Sequence, residues 1–527
     1  SLAACSGTSQ EGSKDENNAA ESKGDQTEAA TDISTDSEAS SQVQGSSESN
    51  STAAGTDEET ASGDTVDFIY VVPGDEPKDL AGGEAAVNEK LATDQVGVAL
   101  DLKYIPWDAW DQKINLMLST GDRFDAFQVM NDRVSLSNYA SRGALTDITD
   151  LLQQYGSNIL NEKNNPDIML KSVEINDRMY AIPAYWVESA LDPEIEIRKD
   201  ILDKYNLPVP TTFEELTDEY ETVMASWEGA QKPYLPTEAM SNFGMNQKTY
   251  DEWPFVVYDQ IFYVDQSGSV KNFYETDVFK QNAENAKLWF DKGLISPDIL
   301  TTTSDQKANQ LNSGDWFVLG GTIGSITNLK TNYPDITVDD LISLDFAPDK
   351  PRVRPYGTRN MNAVPASSEH PEATVKFFNW ILESQENYDL FMYGREGTDY
   401  ETTGDRTMSA IIDPITNAAP YYFSDWMAGN INFIRYSDSA PTATIQSLYT
   451  INQDAVEGYA AMFTFDASAV QTQYTDVQTQ ISAVIKPIAS GVIDYDSNID
   501  SALQALKAAG VDDLIAEFQK QLDASKK

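Results

Sequence analysis

The chain is poor in the residues that run most metal, redox and acid–base chemistry. One His and one Cys in 527 residues leave no His-pair zinc motif, no Cys cluster, no internal disulfide and at most one His-based triad. Cations are also scarce. The 36 Lys and Arg face 85 Asp and Glu, a formal net charge of −49, which repels phosphate backbones and excludes nucleic acid as a natural partner. No apolar run reaches the roughly 20 residues that span a bilayer, and no repeat recurs at solenoid periods. Two motifs that look like cofactor loops do not hold up. Residues 320–324 lack the Lys-Ser/Thr of a phosphate loop and the Gly spacing of a dinucleotide turn, and read as a turn or as backbone close to ligand. Asp494, Asp496, Asn498 and Asp500 begin like a calcium loop, but Ile499 stands where Gly is needed and Ala505 where Glu is needed. No metal and no cofactor are expected. What remains is binding, or chemistry run by carboxylates.

The length allows two or three domains. Ser1-Leu2-Ala3-Ala4-Cys5 resembles a bacterial lipobox, which implies that Cys5 is the lipidation site and that the chain meets a membrane only through that lipid. Residues 6–64 carry 14 acids, 2 bases and no aromatic residue, too little apolar surface to fold. As a flexible coil they span about 45 Å, a leash from the anchor to a folded body. That body begins at Thr65. Val66 to Val72 form a short apolar run ending at Pro73-Gly74, Val96 to Tyr104 alternate strictly, and Phe124 to Met130 return as an apolar run. Between the last two, Trp107, Trp110, Ile114, Met117 and Leu118 make a helical stripe after Pro106. Strand, helix, strand at this spacing predicts a βαβ unit and a parallel sheet. Thr212 to Glu215 read as a capping box, Pro371 opens a helix through Phe377, Phe378, Trp380 and Ile381, and residues 475–522 read as helical with breaks at Gly491 and Gly510. His370, before Pro371, reads as a surface residue.

Several separated stretches together resemble the extracellular solute-binding proteins of ABC importers, of the large lipoprotein type associated with sugar uptake. They are Tyr104 to Trp107 leading into Gln112 to Asp125, Gly143 to Leu151, Tyr180 to Pro183, Ile197 to Leu202, Tyr393 to Glu401, and Trp426 to Asn430. Ile197-Arg198 and Leu191-Asp192-Pro193 depart from the usual pattern near the first crossover. The resemblance implies an α/β, two-lobed periplasmic-binding-protein-like fold of type II, with a multi-strand hinge and a helical C-terminus. One lobe is expected from residues 65–188 plus 356–394, the other from 189–355 plus 395–527. It also implies a monomeric, non-catalytic receptor on the extracellular face of the membrane, which closes on an oligosaccharide by hinge motion and hands it to a pair of permease subunits driven by an ATPase.

Nine Trp and 25 Tyr suit such a cleft, because a sugar ring stacks its C–H face on an aromatic ring while its hydroxyls seek carboxylates and amides. Trp186, Trp253, Trp316 and Trp426 stand beside expected loops or strand ends, where open α/β sheets bind ligands; the alternative for each is core packing. Trp110, Trp227 and Trp380 lie on helical stripes and read as core, while Trp107 and Trp289 fit either reading. Tyr185, Asp125 and Glu188 are the further candidates for hydroxyl recognition, with solvated surface as the plain reading of the two acids. Arg354, beside Tyr356 and near Arg352 and Arg359, either clamps a sugar carboxylate or neutralises neighbouring acids. Two rival functions stay open on residues alone: a secreted glycoside hydrolase using two carboxylates among Trp side chains, and a peptide-binding receptor of the same fold.

Overall fold

The computed structural model describes residues 64–186, 195–236, 244–321, 323–416, 418–442, 445 and 455–526. The expectations for Cys5, for residues 6–63 and for Glu188 fall outside the described residues. In chain order the elements that position the site are β1 (Val66–Pro73), α1 (Leu80–Thr93), β2 (Val98–Ile105), α2 (Trp110–Thr120), β3 (Ala126–Met130) and β4 (Ala181–Pro183). They are followed by β5 (Ile195–Arg198), α3 (Phe213–Ser226), β6 (Phe255–Tyr258), β7 (Phe262–Asp265), β8 (Val270–Asn272), α4 (Asp277–Asp291), β9 (Val318–Gly320), β10 (Leu341–Leu344), β11 (Arg352–Arg354) and β12 (Asn360–Ala363). The chain ends through α5 (Pro371–Ile381), α6 (Gln385–Tyr393), β13 (Ala455–Glu457), α7 (Gln471–Gln480), α8 (Tyr495–Ala509) and α9 (Val511–Ser525).

The expected βαβ unit is present. β1 runs parallel to β2 from Val66↔Val98 to Pro73↔Ile105 and parallel to β3 at Tyr70↔Ala126. β12 then pairs antiparallel with β3, and β4 antiparallel with β12, giving the order β2-β1-β3-β12-β4. Both sides of this sheet are covered, so its strands are apolar almost throughout. Phe68 and Tyr70 pack on Phe377 and Phe378 of α5, with ring centroids 5.0–6.3 Å apart. The other lobe has two small sheets, β9-β5-β10 and β8-β7-β6, and its core continues into α7, α8 and α9. Gly491 and Gly510 interrupt these helices in left-handed backbone. A Cβ at Gly491 would lie 2.2 Å from the Ala286 carbonyl oxygen of α4, so glycine there permits both the turn and the close approach.

Three expectations change in detail. Glu215 donates its backbone N–H to Thr212 Oγ1, and its carboxylate accepts from Thr211 N at 2.8 Å; the return arm of the box reaches one residue further back. Asp494 caps α8 through Ser497 N at 2.8 Å, which gives the calcium-like motif a structural use. The lobe boundary at 394/395 is corrected. Tyr400, Met408, Phe423, Met427 and Ala428 share the buried cluster of β1–β3, and Arg395 joins the two sides of the proposed cut by pairing with Asp399 at 2.8 Å and with Asp79 at 2.7 Å. Residues 395–428 therefore pack with the first lobe.

The crossovers are tightly built. β11 pairs in parallel with β13, and the Arg354 guanidinium donates to the carbonyls of Tyr356 and Gly357 at 3.1 and 2.6 Å and contacts Met169 Sδ at 2.8 Å. Gly357 is wedged where a Cβ would meet Ser172 Oγ at 1.8 Å and Met462 Sδ at 2.7 Å.

Candidate functional site

The sheet of the first lobe has one chemically active edge. β1, β2, β3 and β4 all run in the same sense, and β12 runs against them. Gly74, Trp107, Asn131-Asp132-Arg133 and Tyr185-Trp186 thus emerge together at the carboxyl ends, where β12 also enters from Thr358 and Arg359. Open α/β sheets place ligands at this edge. The two crossovers that follow β4 and precede β12 leave from it too, so the ligand edge and the hinge edge coincide.

Two tryptophans meet there. The Trp107 and Trp426 rings stack with centroids 5.9 Å apart and planes 19° apart. The Arg133 guanidinium lies 5.3 Å over Trp107 and is held by Asp111 at 2.6 Å. Trp426 also packs on a small cluster of Trp186, Ile434 and Tyr436, and the Tyr185 carbonyl accepts from Ile431 N at 2.8 Å. The single turn Asp425–Met427 that carries Trp426 is fixed from below. Tyr70 donates to Asn362 Oδ1 at 2.6 Å, Asn362 donates to the Met427 carbonyl at 3.0 Å, and Tyr393 donates to Asp425 Oδ2 at 2.8 Å. A ring on such a support offers a rigid face at little entropic cost.

Asp425 is 6 % exposed, and burial pushes its carboxyl up to about 6, against the Tyr393 hydrogen bond. An unfolded Asp titrates near 4. Between those values the folded chain keeps a proton that the unfolded chain has released, so this group makes stability fall as pH rises. Asp425→Asn removes that slope. From pH 4 to pH 7, urea unfolding should show the variant gaining on its parent by on the order of 2 kcal/mol; parallel pH profiles for the two proteins would refute it.

The second lobe faces this edge with the β6–β7 hairpin. Asp259 and Gln260 at its tip are both left-handed, at φ 52° and 61°, in a turn closed by Ile261 N–H on the Tyr258 carbonyl at 3.0 Å, the twist that suits a hairpin. Asp259 is half-buried, accepts from the Tyr474 hydroxyl, and is pushed up to about 6 by burial and by the charge of Asp132 across the gap. Its carbonyl accepts from Gln478 at 3.2 Å. A separate surface hollow of about 460 Å³ lies beside Thr212, Tyr250 and Asn285 of the second lobe and shares no residue with this edge.

The structure brings Tyr185, Trp186 and Trp426 together and separates Asp125, Trp253, Trp316 and Arg354 from them. Asp125 is sealed at the amino end of β3, accepting from Ile69 N at 2.9 Å and Ser368 Oγ at 2.7 Å. Trp316 is fully buried and donates to the Leu311 carbonyl at 3.0 Å. Trp253 donates to Pro351 O at 2.7 Å within the second lobe's core. Arg354 is a crossover staple, and Tyr356 stands edge-on to Tyr258 with centroids 5.5 Å apart. Asp125, Trp253, Trp316 and Arg354 are buried in packing, against the expectation of ligand contact, whereas Tyr356 is half-buried. Trp107 fits either reading in the sequence, and Asp132, Arg133 and Asp259 were not among the candidates. The rule that ligands sit at strand carboxyl ends selects the first three from sequence, while Asp259 depends on a pairing between lobes that no local pattern contains.

The chain matches the model of the bacterial extracellular solute-binding protein family over residues 74–388, and a domain of unknown function (DUF3502) over 459–527. A carbohydrate ABC transporter substrate-binding protein of Streptococcus pneumoniae is 23% identical over 465 residues, covering 85% of this chain and 89% of that protein. A polygalacturonan/rhamnogalacturonan-binding protein of Bacillus subtilis is 26% identical over 345 residues, 63% of this chain and 66% of that one. Among solved structures, the N-glycan transport solute-binding protein of S. pneumoniae superposes with a TM-score of 0.67 at 20% identity, covering 87% of this chain and 98% of that one. Its two-lobed fold is the fold described above. With a family match across more than half its length, and with a stacked tryptophan pair at the carboxyl edge of its first sheet, this chain is a bacterial extracellular solute-binding protein.

Proposed function

We propose that the protein is the capture component of an ABC importer for an oligosaccharide, held at the extracellular face of the membrane by a lipid on Cys5 and acting as a monomer. The observation that carries the ligand class is the Trp107–Trp426 stack on the carboxyl edge, with Trp186 packed against it. The Arg133–Asp111 pair stands over Trp107, so charged groups lie beside aromatic faces, which is how a sugar is held by faces and hydroxyls at once. The carbohydrate-binding names of the relatives support the same class. Closure of the lobes on ligand would present one joint surface to a pair of permease subunits, with an ATPase inside the cell supplying the energy. Among the described residues no helix is long and apolar enough to cross a membrane.

A thermal-shift screen of the folded body against xylo-, manno-, gluco- and galacto-oligosaccharides, aldouronates and short peptides tests this. A ligand at 100 times its dissociation constant should stabilise by about 2.7 kcal/mol, with a stoichiometric change in Trp fluorescence and no product. Turnover of the sugar would instead make the protein a glycoside hydrolase, and a response to peptides alone would make it a peptide receptor.

A further inference from the structure

We infer that the cargo is an uncharged oligosaccharide and that the cleft discriminates against uronic acids. This rests on the receptor reading above and specifies its ligand. The relatives leave the matter open, since one is named for polygalacturonan, an anionic chain, and another for N-glycans.

The segments that surround the aromatic stack are strongly one-sided in charge. Asp75 and Glu76 follow β1, Asp108 and Asp111 follow β2, Asp132 follows β3, and Asp259 faces them from the second lobe. Asp111 and Arg133 pair with each other at 2.6 Å, which leaves five carboxylates against one further guanidinium, Arg359, at the approach to β12. Arg133 already spends its charge on Asp111 and its flat face on Trp107. The next cation along, Lys78, is engaged by Asp413 at 2.6 Å. The negative field registers within the site itself, because Asp132 opposes ionisation of Asp259 across the gap.

Carboxylates accept hydrogen bonds and cannot donate them. They match sugar hydroxyls, which donate. A uronate brings a further acceptor and a further negative charge into the same space, where recognition needs a free Arg fork. Like-charge juxtaposition acts mainly by rejecting wrong partners, so the acids here, most of them exposed, act as a filter for ligand charge while the tryptophans supply the attraction.

Calorimetric titration of the full chain with matched probes decides it. Neutral xylo-, manno-, gluco- and galacto-oligosaccharides are compared with oligogalacturonates and with aldouronates of equal length, at low and at high salt. The expected result is binding of a neutral series with affinity unchanged by salt, and a loss of about tenfold or more when one residue of the bound sugar carries a carboxylate. Asp132→Asn, an exposed position that leaves the core untouched, should narrow the neutral-to-uronate ratio about threefold or more. A uronate that binds as well as its neutral counterpart overturns the inference and leaves the importer reading standing, as does a ratio that Asp132→Asn fails to move. Binding of short peptides with no response to either sugar series overturns both.

Discussion

Trp426→Ala is expected to weaken oligosaccharide binding by roughly 30- to 700-fold, the equivalent of about 2–4 kcal/mol for a buried aromatic anchor, with little change in the unfolding midpoint of the free protein. The argument is geometric. Trp426 is half-buried and stacks on Trp107 at 5.9 Å, while the turn beneath it is held by Asn362 and Tyr393 through its neighbours Met427 and Asp425. Truncating the ring removes ligand-facing area and leaves those supports in place. Trp107→Ala should cost a similar amount, and the double variant less than the sum, because each ring braces the other. Fluorescence titration of the single and double variants measures all three. Unchanged affinity in Trp426→Ala with a lowered midpoint would move this tryptophan from the site into the core.

The fold was legible where one element's pattern is decided locally. The parallel βαβ unit followed from apolar runs and a helical stripe, and the C-terminal helices from periodicity punctuated by two glycines. The site was legible only in part, because flanking sequence alone does not separate a cleft tryptophan from a core one. Trp186, Trp253, Trp316 and Trp426 all stand beside loops or strand ends. Trp253 is claimed by Pro351, 98 positions away, and Trp316 by a cluster that includes Leu329, Ile336 and Leu341 further along the chain. Asp125 failed for a different reason. It lies at the amino end of β3, and the polar residue that reaches the cleft is Asp132, past the other end of the same strand. For Trp107 the helical arithmetic was misleading, since Pro106 begins a tight turn, Trp107–Ala109, that sets the ring off from α2. The lobe boundary slipped because the half-buried Arg395–Asp79 pair and the Phe423 contact with Phe391, at 4.5 Å, are tertiary events.

Trp316→Ala is expected to do the opposite of Trp426→Ala. Its side chain is fully buried, donates to Leu311 O and lies 5.7 Å from the Arg198 guanidinium. Removing a buried Trp costs about 3–5 kcal/mol through lost packing and a residual cavity, a large share of the 5–15 kcal/mol typical of a domain. The loss falls on the second lobe's cluster of Ile323, Ile326 and Leu341, so that lobe should melt earlier than the first, and calorimetry should resolve two transitions where the lobes have become unequal. Trp316→Phe, which keeps much of the ring volume, should recover more than half of the loss. The fraction of Trp316→Ala that remains folded at low temperature should bind sugar within about threefold of the parent, since the ring lies among core residues away from the Trp107–Trp426 edge. The two tryptophans thus form a crossed test, one moving affinity without stability and the other stability without affinity. A Trp316→Ala protein that keeps its midpoint and loses its ligand would place Trp316 in the cleft and overturn the division of aromatic residues argued here.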